Sequence, residues 1–267
     1  MPFSAACYSK YKYGSVSATE AFASALAGAF DDRYPDLTRA PKLLMTSSPY
    51  NYVPTAATTL ARRLRPVLNA ARARHRLPPV PFVQVERIGT SAGDYGTLSA
   101  GAREQLMATN VVSFRRFRST ALRGAHLLIV DDVRVTGAHQ RCLADASEEL
   151  PLATRTFLYI ASFADAPIGS FDPTQEDRLN HAAVRSLDDL GGIVEGDDFT
   201  WNVRVCKFIL APSNRDQLPG FLARMPRWFV RDLHRNSRGD GYARMDLYAP
   251  SHAIVGAELS RRRADHG

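Results

Sequence analysis

Leu127-Leu128-Ile129-Val130-Asp131-Asp132-Val133-Arg134-Val135-Thr136-Gly137-Ala138-His139 is the stretch on which the reading of this chain turns. Four aliphatic residues in succession fit a parallel strand covered on both faces. The apolar run stops at two carboxylates, and a Thr-Gly turn leads into a helix expected from Ala138 to Leu150. A strand that delivers polar groups to the carboxyl edge of a sheet places a ligand there. Neighbouring side chains leave an extended backbone on opposite sides, so Asp131 and Asp132 can accept hydrogen bonds from the vicinal hydroxyls of a ribose or help to seat a metal-bound ligand. The turn from Val135 to His139 offers free backbone N–H groups at a helix start, which is a place for a phosphate. Thr136 adds a hydroxyl donor, and Gly137 permits a left-handed backbone and close approach. Sugar on one side and phosphate on the other suit a ribose 5-phosphate.

The totals bound the rest. A chain of 267 residues with 45% hydrophobic content can bury a sizeable core and sits near the upper end of single-domain length. No apolar run is long enough for a membrane span, and no charged-then-apolar leader precedes Tyr8, so a cytoplasmic protein without membrane contact is expected. Cys7, Cys142 and Cys206 are odd in number and far apart, with no Cys-x-x-Cys, which speaks against a disulfide framework or a zinc site. A net charge of +7 suits an anionic ligand and leaves nucleic acid open as a less favoured partner. The tail with Arg261-Arg262-Arg263 reads as a solvated terminus.

Working outward, Tyr11-Lys12-Tyr13-Gly14 precedes a helix from Ser17 to Phe30, with Ser17, Thr19 and Glu20 as capping candidates. The tetrad admits aromatic packing with an exposed lysine or a substrate-side role. Lys42 to Thr46 reads as a strand, Ser47 to Pro54 as a polar loop, and Thr55 to Arg76 as a helix with Pro54 at its start. Phe82 to Ile88 has strand character and carries Arg87 near its end. Gly89 to Leu98 reads as a lid. Val111 to Phe114 fits an edge strand before Arg115-Arg116-Phe117-Arg118, and Thr156 to Phe163 fits a further inner strand. This alternation gives an α/β fold with a parallel sheet flanked by helices. Beyond Asp165 helical candidates take over, around 175–187, 200–210, 217–223 and 228–236.

The strand with its two acids, two further residues, then a small residue, Thr and Gly in succession, resembles the signature of type I phosphoribosyltransferases, which bind 5-phosphoribosyl 1-diphosphate (PRPP). Tyr11 to Gly14 and the segment Leu98-Ser99-Ala100-Gly101-Ala102-Arg103 are similar to the ComF-like branch, and to relatives associated with tellurite-resistance gene clusters. The resemblance spans residues 8–165 and leaves 166–267 as a mostly helical cover, the hood, that chooses the acceptor. It implies an enzyme of nucleotide metabolism that displaces diphosphate from PRPP by a nitrogen nucleophile, with Mg2+ bound through the diphosphate and no dedicated metal cluster. Asp131 and Asp132 orient the ribose, Val135 to His139 anchor the 5-phosphate, and Ser47, Ser48 and Arg87 meet the diphosphate. Many relatives carry a lysine in the lid; here none is present, which leaves Arg103 to serve. Arg134 and His139 depart from the usual pattern, and Val135 stands where purine-salvage members place an acid, which points away from that substrate class. Phe199, Trp201 and Asn202 are candidates for stacking on and hydrogen-bonding to a planar ring. The partners implied are PRPP and an unidentified base or nucleotide, and a homodimer is admitted. A non-enzymatic PRPP sensor on the same fold and a ComF-like DNA-handling protein are the rival readings. The latter often carries paired zinc-finger cysteines ahead of the domain, and this sequence has none.

Overall fold

A computed structural model describes residues 3–88, 111–114, 122–135, 137–163, 173–196 and 198–264. The lid at Gly89 to Leu98, Arg103, the arginines of 115–118 and Thr136 lie outside the described residues, as does the side chain of Arg87.

The parallel sheet forms around β4 (His126–Arg134), with β1 (Leu43–Ser47) on one side and β5 (Thr154–Ser162) on the other. Residues 127–130 are buried on both faces, as four aliphatics in a row require. Leu128 and Val130 pack with Phe30, Leu60 and Leu64, whereas Leu127 and Ile129 pack with Val85, Phe114 and Leu143. The strand does not stop at the acids. Asp131 pairs with Tyr159 and Arg134 with Ser162, and Phe163 N–H donates to the Arg134 carbonyl at 2.9 Å. Because β5 keeps supplying ladder partners, Arg134 leaves the exit of the strand regular.

Beyond the free edge of β1 the chain runs parallel without forming a full strand: Met45 N–H donates to the Pro81 carbonyl and Val83 N–H to the Met45 carbonyl. The expected strand over Phe82 to Ile88 is realised only at its end. There β2 (Glu86–Ile88) pairs antiparallel with β3 (Val111–Ser113) in a two-stranded ribbon, so the edge strand expected over Val111 to Phe114 pairs outside the parallel sheet.

Three helices precede the sheet: α1 (Ala5–Lys12), α2 (Val16–Arg33) and α3 (Pro35–Thr38). They are followed after β1 by α4 (Ala56–Arg74). Side chains of Ser4, Ser15 and Thr55 cap α1, α2 and α4 by accepting from backbone N–H groups in the first turn. The cap of α2 is therefore Ser15, ahead of the expected Ser17. The chain can turn there because Gly14 takes φ +90. After β4, α5 (Ala138–Ala146) ends earlier than expected, where the Arg155 guanidinium takes up the Ser147 and Glu148 carbonyls.

The C-terminal third is helical: α6 (Pro173–Asn180), α7 (Leu187–Gly196), α8 (Val203–Leu210), α9 (Leu218–Arg224), α10 (Arg227–Gly239) and α11 (Ala249–Ala264). Its apolar faces share one core that includes Leu190, Ile209, Phe221, Phe229, Leu233 and Val255, and Tyr13 and Val53 of the preceding part enter it. Helix α11 corrects the expected solvated tail. Arg262 Nε donates to the Glu258 carboxylate, and the same guanidinium donates to the Met225, Leu222 and Ala223 carbonyls, so it caps the carboxyl end of α9. The amino-terminal helices meet this third at Gly14, whose carbonyl accepts from Thr200 N–H at 2.9 Å, and at Val16, whose N–H donates to the Asp198 carbonyl at 3.1 Å. No helix among the described residues is long and apolar enough to cross a membrane.

Candidate functional site

A cavity of about 270 Å³ opens where β4 ends, walled by the amino ends of α4 and α5, by Lys12 of α1, and by α8 with the segment 240–245. Asp131 and Asp132 line it together with Val135, Gly137, Ala138 and His139, so the acids and the turn face one space.

Every carboxylate oxygen of the pair already has a donor from the protein. Asp131 Oδ1 accepts from Ser48 Oγ and from the Asp132 N–H, each at 3.0 Å, and His139 Nδ1 lies 2.7 Å from Oδ2. A carboxylate only accepts, so that ring nitrogen carries the hydrogen. Burial pushes the Asp131 pKa up, but His139, the Asp132 amide and Ser48 outweigh it and hold the carboxyl below its ordinary value. A carboxylate with a depressed folded pKa stabilises the fold in full above its unfolded value, about 3.9, and that stability is lost as pH falls through the folded pKa. The stability gap between wild type and Asp131→Asn, measured by urea unfolding, is therefore expected to shrink as pH is lowered from 6 to 3. A constant gap would contradict that ionised, internally bonded state.

Asp132 Oδ1 accepts from Val133 N–H at 2.7 Å, and its other oxygen pairs with Lys12 Nζ. Lys12 is thus buried at the cavity wall, 5.5 Å from the Tyr8 ring centroid. The tyrosines of 11–14 pack inside as one reading expected, but the lysine that it left exposed is buried. Burial first, and the nearby Asp132 second, keep Tyr8 and Tyr11 as neutral phenols well into alkali.

Gly137 is the N-cap of α5 at φ +72, the left-handed geometry its position in the sequence suggested. A Cβ placed there would lie 3.5 Å from Arg141 Nη1 and 3.6 Å from Arg134 Nε, so two guanidiniums flank the turn. Arg134, a departure from the family's pattern, thereby adds positive charge where a phosphate is expected.

The adjacent serines part company at the end of β1, as alternating side chains must. Ser48 lines the cavity. Ser47, expected to do the same, is buried elsewhere and donates to Thr58 Oγ1 at 2.9 Å, which removes it from the site. Arg87 contributes the backbone of β2. Phe199 and Trp201, expected as stacking candidates, pack within the C-terminal core instead, with Trp201 4.6 Å from the Phe229 ring. Asn202 caps α8 through Val205 N–H and donates to the Lys12 carbonyl at 3.2 Å, so its amide is spent on positioning.

Sequence reasoning missed the far wall. Arg204 and Lys207 of α8 reach the cavity one turn apart, on the face opposite the buried Val205 and Ile209. Asp240 and Tyr242 join them. Asp240 Oδ1 accepts from Tyr52 N–H at 2.9 Å and Val53 N–H at 3.2 Å, tying the loop after β1 to the C-terminal helices. Burial raises its pKa in spite of those bonds. The charged residues at i, i+3 on an otherwise apolar helix were the one available signal.

A family model described as PRTase ComF-like matches residues 1–254. No curated protein matches the chain. Among solved structures, a hypothetical protein from Neisseria gonorrhoeae with bound ppGpp is 14% identical, aligned over 63% of this chain and 94% of that one with a TM-score of 0.34. The acids at the tip of the inner strand and the glycine turn behind them thus sit within a match that runs through nearly the whole sequence, and the chain belongs to the ComF-like phosphoribosyltransferase family.

Proposed function

We propose that the protein binds PRPP with Mg2+ and transfers the 5-phosphoribosyl group to a nitrogen nucleophile, releasing diphosphate. The observation that carries this is one cavity with Asp131 and Asp132 on one side and the left-handed Gly137 turn on the other. The 5-phosphate takes the N–H groups at the start of α5, with Arg134 and Arg141 beside it. The vicinal hydroxyls then replace Lys12 Nζ and His139 Nδ1 as donors to the same carboxylate oxygens, bond for bond. Lys12, released from Asp132, meets the negative oxygens of the diphosphate together with Arg103, in a chain whose lid carries no lysine.

In the transfer, the C1 bond to the diphosphate oxygen breaks with its electron pair leaving on diphosphate, while the nucleophile's nitrogen bonds to C1 and gives up a proton. Positive charge grows on the sugar between those events, and the paired carboxylates stabilise it. Asp240, made more basic by burial, stands on the acceptor side and suits the proton. Mg2+ needs only one or two carboxylates besides phosphate oxygens and water; Asp131 and Asp132 line the cavity to provide them, and the ion would neutralise the leaving diphosphate. Residues 166–267 act as the hood over a core of residues 8–165, with Arg204, Lys207 and Asp240 reading the acceptor.

Lys12→Met is expected to weaken PRPP binding about tenfold, the scale of one charge-assisted hydrogen bond, read by calorimetry with Mg2+ present. Unchanged affinity would remove Lys12 from the site. The decisive experiment for transfer is diphosphate release from PRPP and Mg2+ across a panel of bases and amines. Release with one acceptor supports the enzyme, whereas tight PRPP binding with no release across the panel identifies a PRPP sensor.

A further inference from the structure

A second basic hollow, of about 450 Å³, lies between α10 and α11 and shares no lining residue with the cavity. Its walls carry Arg231, Arg235 and Arg238 from α10 and Arg263 from α11, with Tyr52 and Gly239 also lining it. All four arginines are exposed. Cations are favoured in the last turn of a helix, which accounts for Arg238 and Arg263. It does not account for Arg231 and Arg235, which sit earlier on α10 and turn to the same hollow. Among the described residues the carboxylate that faces them is Asp232, 3.1 Å from Arg231 Nε and 3.5 Å from Arg235 Nη2, one acid against four guanidiniums.

A second observation lies in the wall. The rings of His234 and His252 stack at 4.9 Å between centroids and 21° between planes, and His252 Nδ1 is 2.9 Å from Ser237 Oγ. Burial first, then the charges of Arg238 and Arg263, lower the His234 pKa; burial, His234 and Arg238 lower that of His252. The neutral forms of both rings are thereby favoured, in part by positive charge that a bound anion would offset.

We propose that this hollow is a second anion site that takes a short phosphate chain, either free inorganic oligophosphate or the phosphate chain of a nucleotide. Planar guanidiniums fork onto phosphate oxygens, and four of them around a hollow of about 450 Å³ suit a short chain of phosphates. Tyr52 also places the site next to the cavity, because its N–H is held by Asp240.

The test follows the ring resonances of His234 and His252 by NMR as inorganic triphosphate is added to the full chain, repeated with adenosine triphosphate. Wild type is expected to show saturable shifts and a raised His234 pKa, since bound negative charge favours the protonated ring. Arg238→Ala/Arg263→Ala, two exposed changes, is expected to lose affinity at least tenfold, while Asp131→Asn/Asp132→Asn keeps it. Tighter binding of the nucleotide assigns the nucleotide as source, and equal binding assigns the free anion. Absent shifts at millimolar triphosphate, or shifts that persist in the arginine variant, overturn the site. So does a single-stranded oligonucleotide that displaces triphosphate far more tightly and with steep salt dependence, because the hollow then belongs to a nucleic-acid surface.

Discussion

Asp131→Asn/Asp132→Asn is expected to weaken PRPP binding in the presence of Mg2+ by at least about a hundredfold, because two hydrogen bonds to charged acceptors contribute about 1.5–3 kcal/mol each. The variant keeps the side-chain shape, so far-UV circular dichroism should be unchanged. Stability is a different matter. Lys12 is buried beside Asp132, and neutralising that partner leaves an ammonium without its counterion. A buried charge stripped of its partner costs several kcal/mol. Asparagine keeps a hydrogen-bond acceptor for Lys12, so the melting temperature is expected to fall by roughly 5–10 °C. Adding Lys12→Met to Asp132→Asn should recover part of that loss, since the pair is removed together. Additive losses in the double-mutant cycle would mean that the two side chains do not interact.

Gly14→Ala should be the most damaging small change in the chain. At φ +90 any side chain is strained, and here its Cβ would also lie 2.5 Å from the Thr200 carbonyl oxygen and 2.7 Å from the Phe199 ring. The carbonyl is backbone and cannot rotate aside. Relief requires the segment 198–200 to move off Gly14, which breaks the hydrogen bonds Thr200 to Gly14 and Val16 to Asp198. Left-handed strain of about 1–2 kcal/mol plus the loss of this seam gives about 3 kcal/mol or more, hence a melting temperature lower by roughly 6–12 °C. A shift of less than 2 °C in a thermal melt would show that the two parts of the chain do not depend on this contact.

The inner strand was legible because its whole identity is local: residues 127–130 are apolar on both faces and alternate between two cores. The left-handed turn was legible for the same reason, since Gly137 follows directly. The rest of the site depends on partners far along the chain. Lys12 reaches Asp132 across 120 residues, and nothing near position 12 says that the lysine is buried. Ser47 and Ser48 look equivalent in sequence, but which one turns inward depends on the register of β1 against β4, where Ser47 pairs with Val130. The long α11 was missed because its buried stripe is only Ser251, Val255 and Leu259, one residue per turn, which leaves a mainly polar sequence with little periodic signal. The antiparallel pairing of β2 and β3 was not legible because three-residue strands carry no pattern that fixes their direction.

The most direct measurement is a crystal structure of the protein with ribose 5-phosphate, the part of PRPP that the acids and the turn are proposed to hold. The expected result is the phosphate on the backbone N–H groups of residues 137–139, the vicinal hydroxyls on the carboxylates of Asp131 and Asp132, and Lys12 moved off Asp132. A phosphate bound away from the start of α5, or a Lys12–Asp132 pair still closed with the sugar absent at saturating ligand, would contradict it.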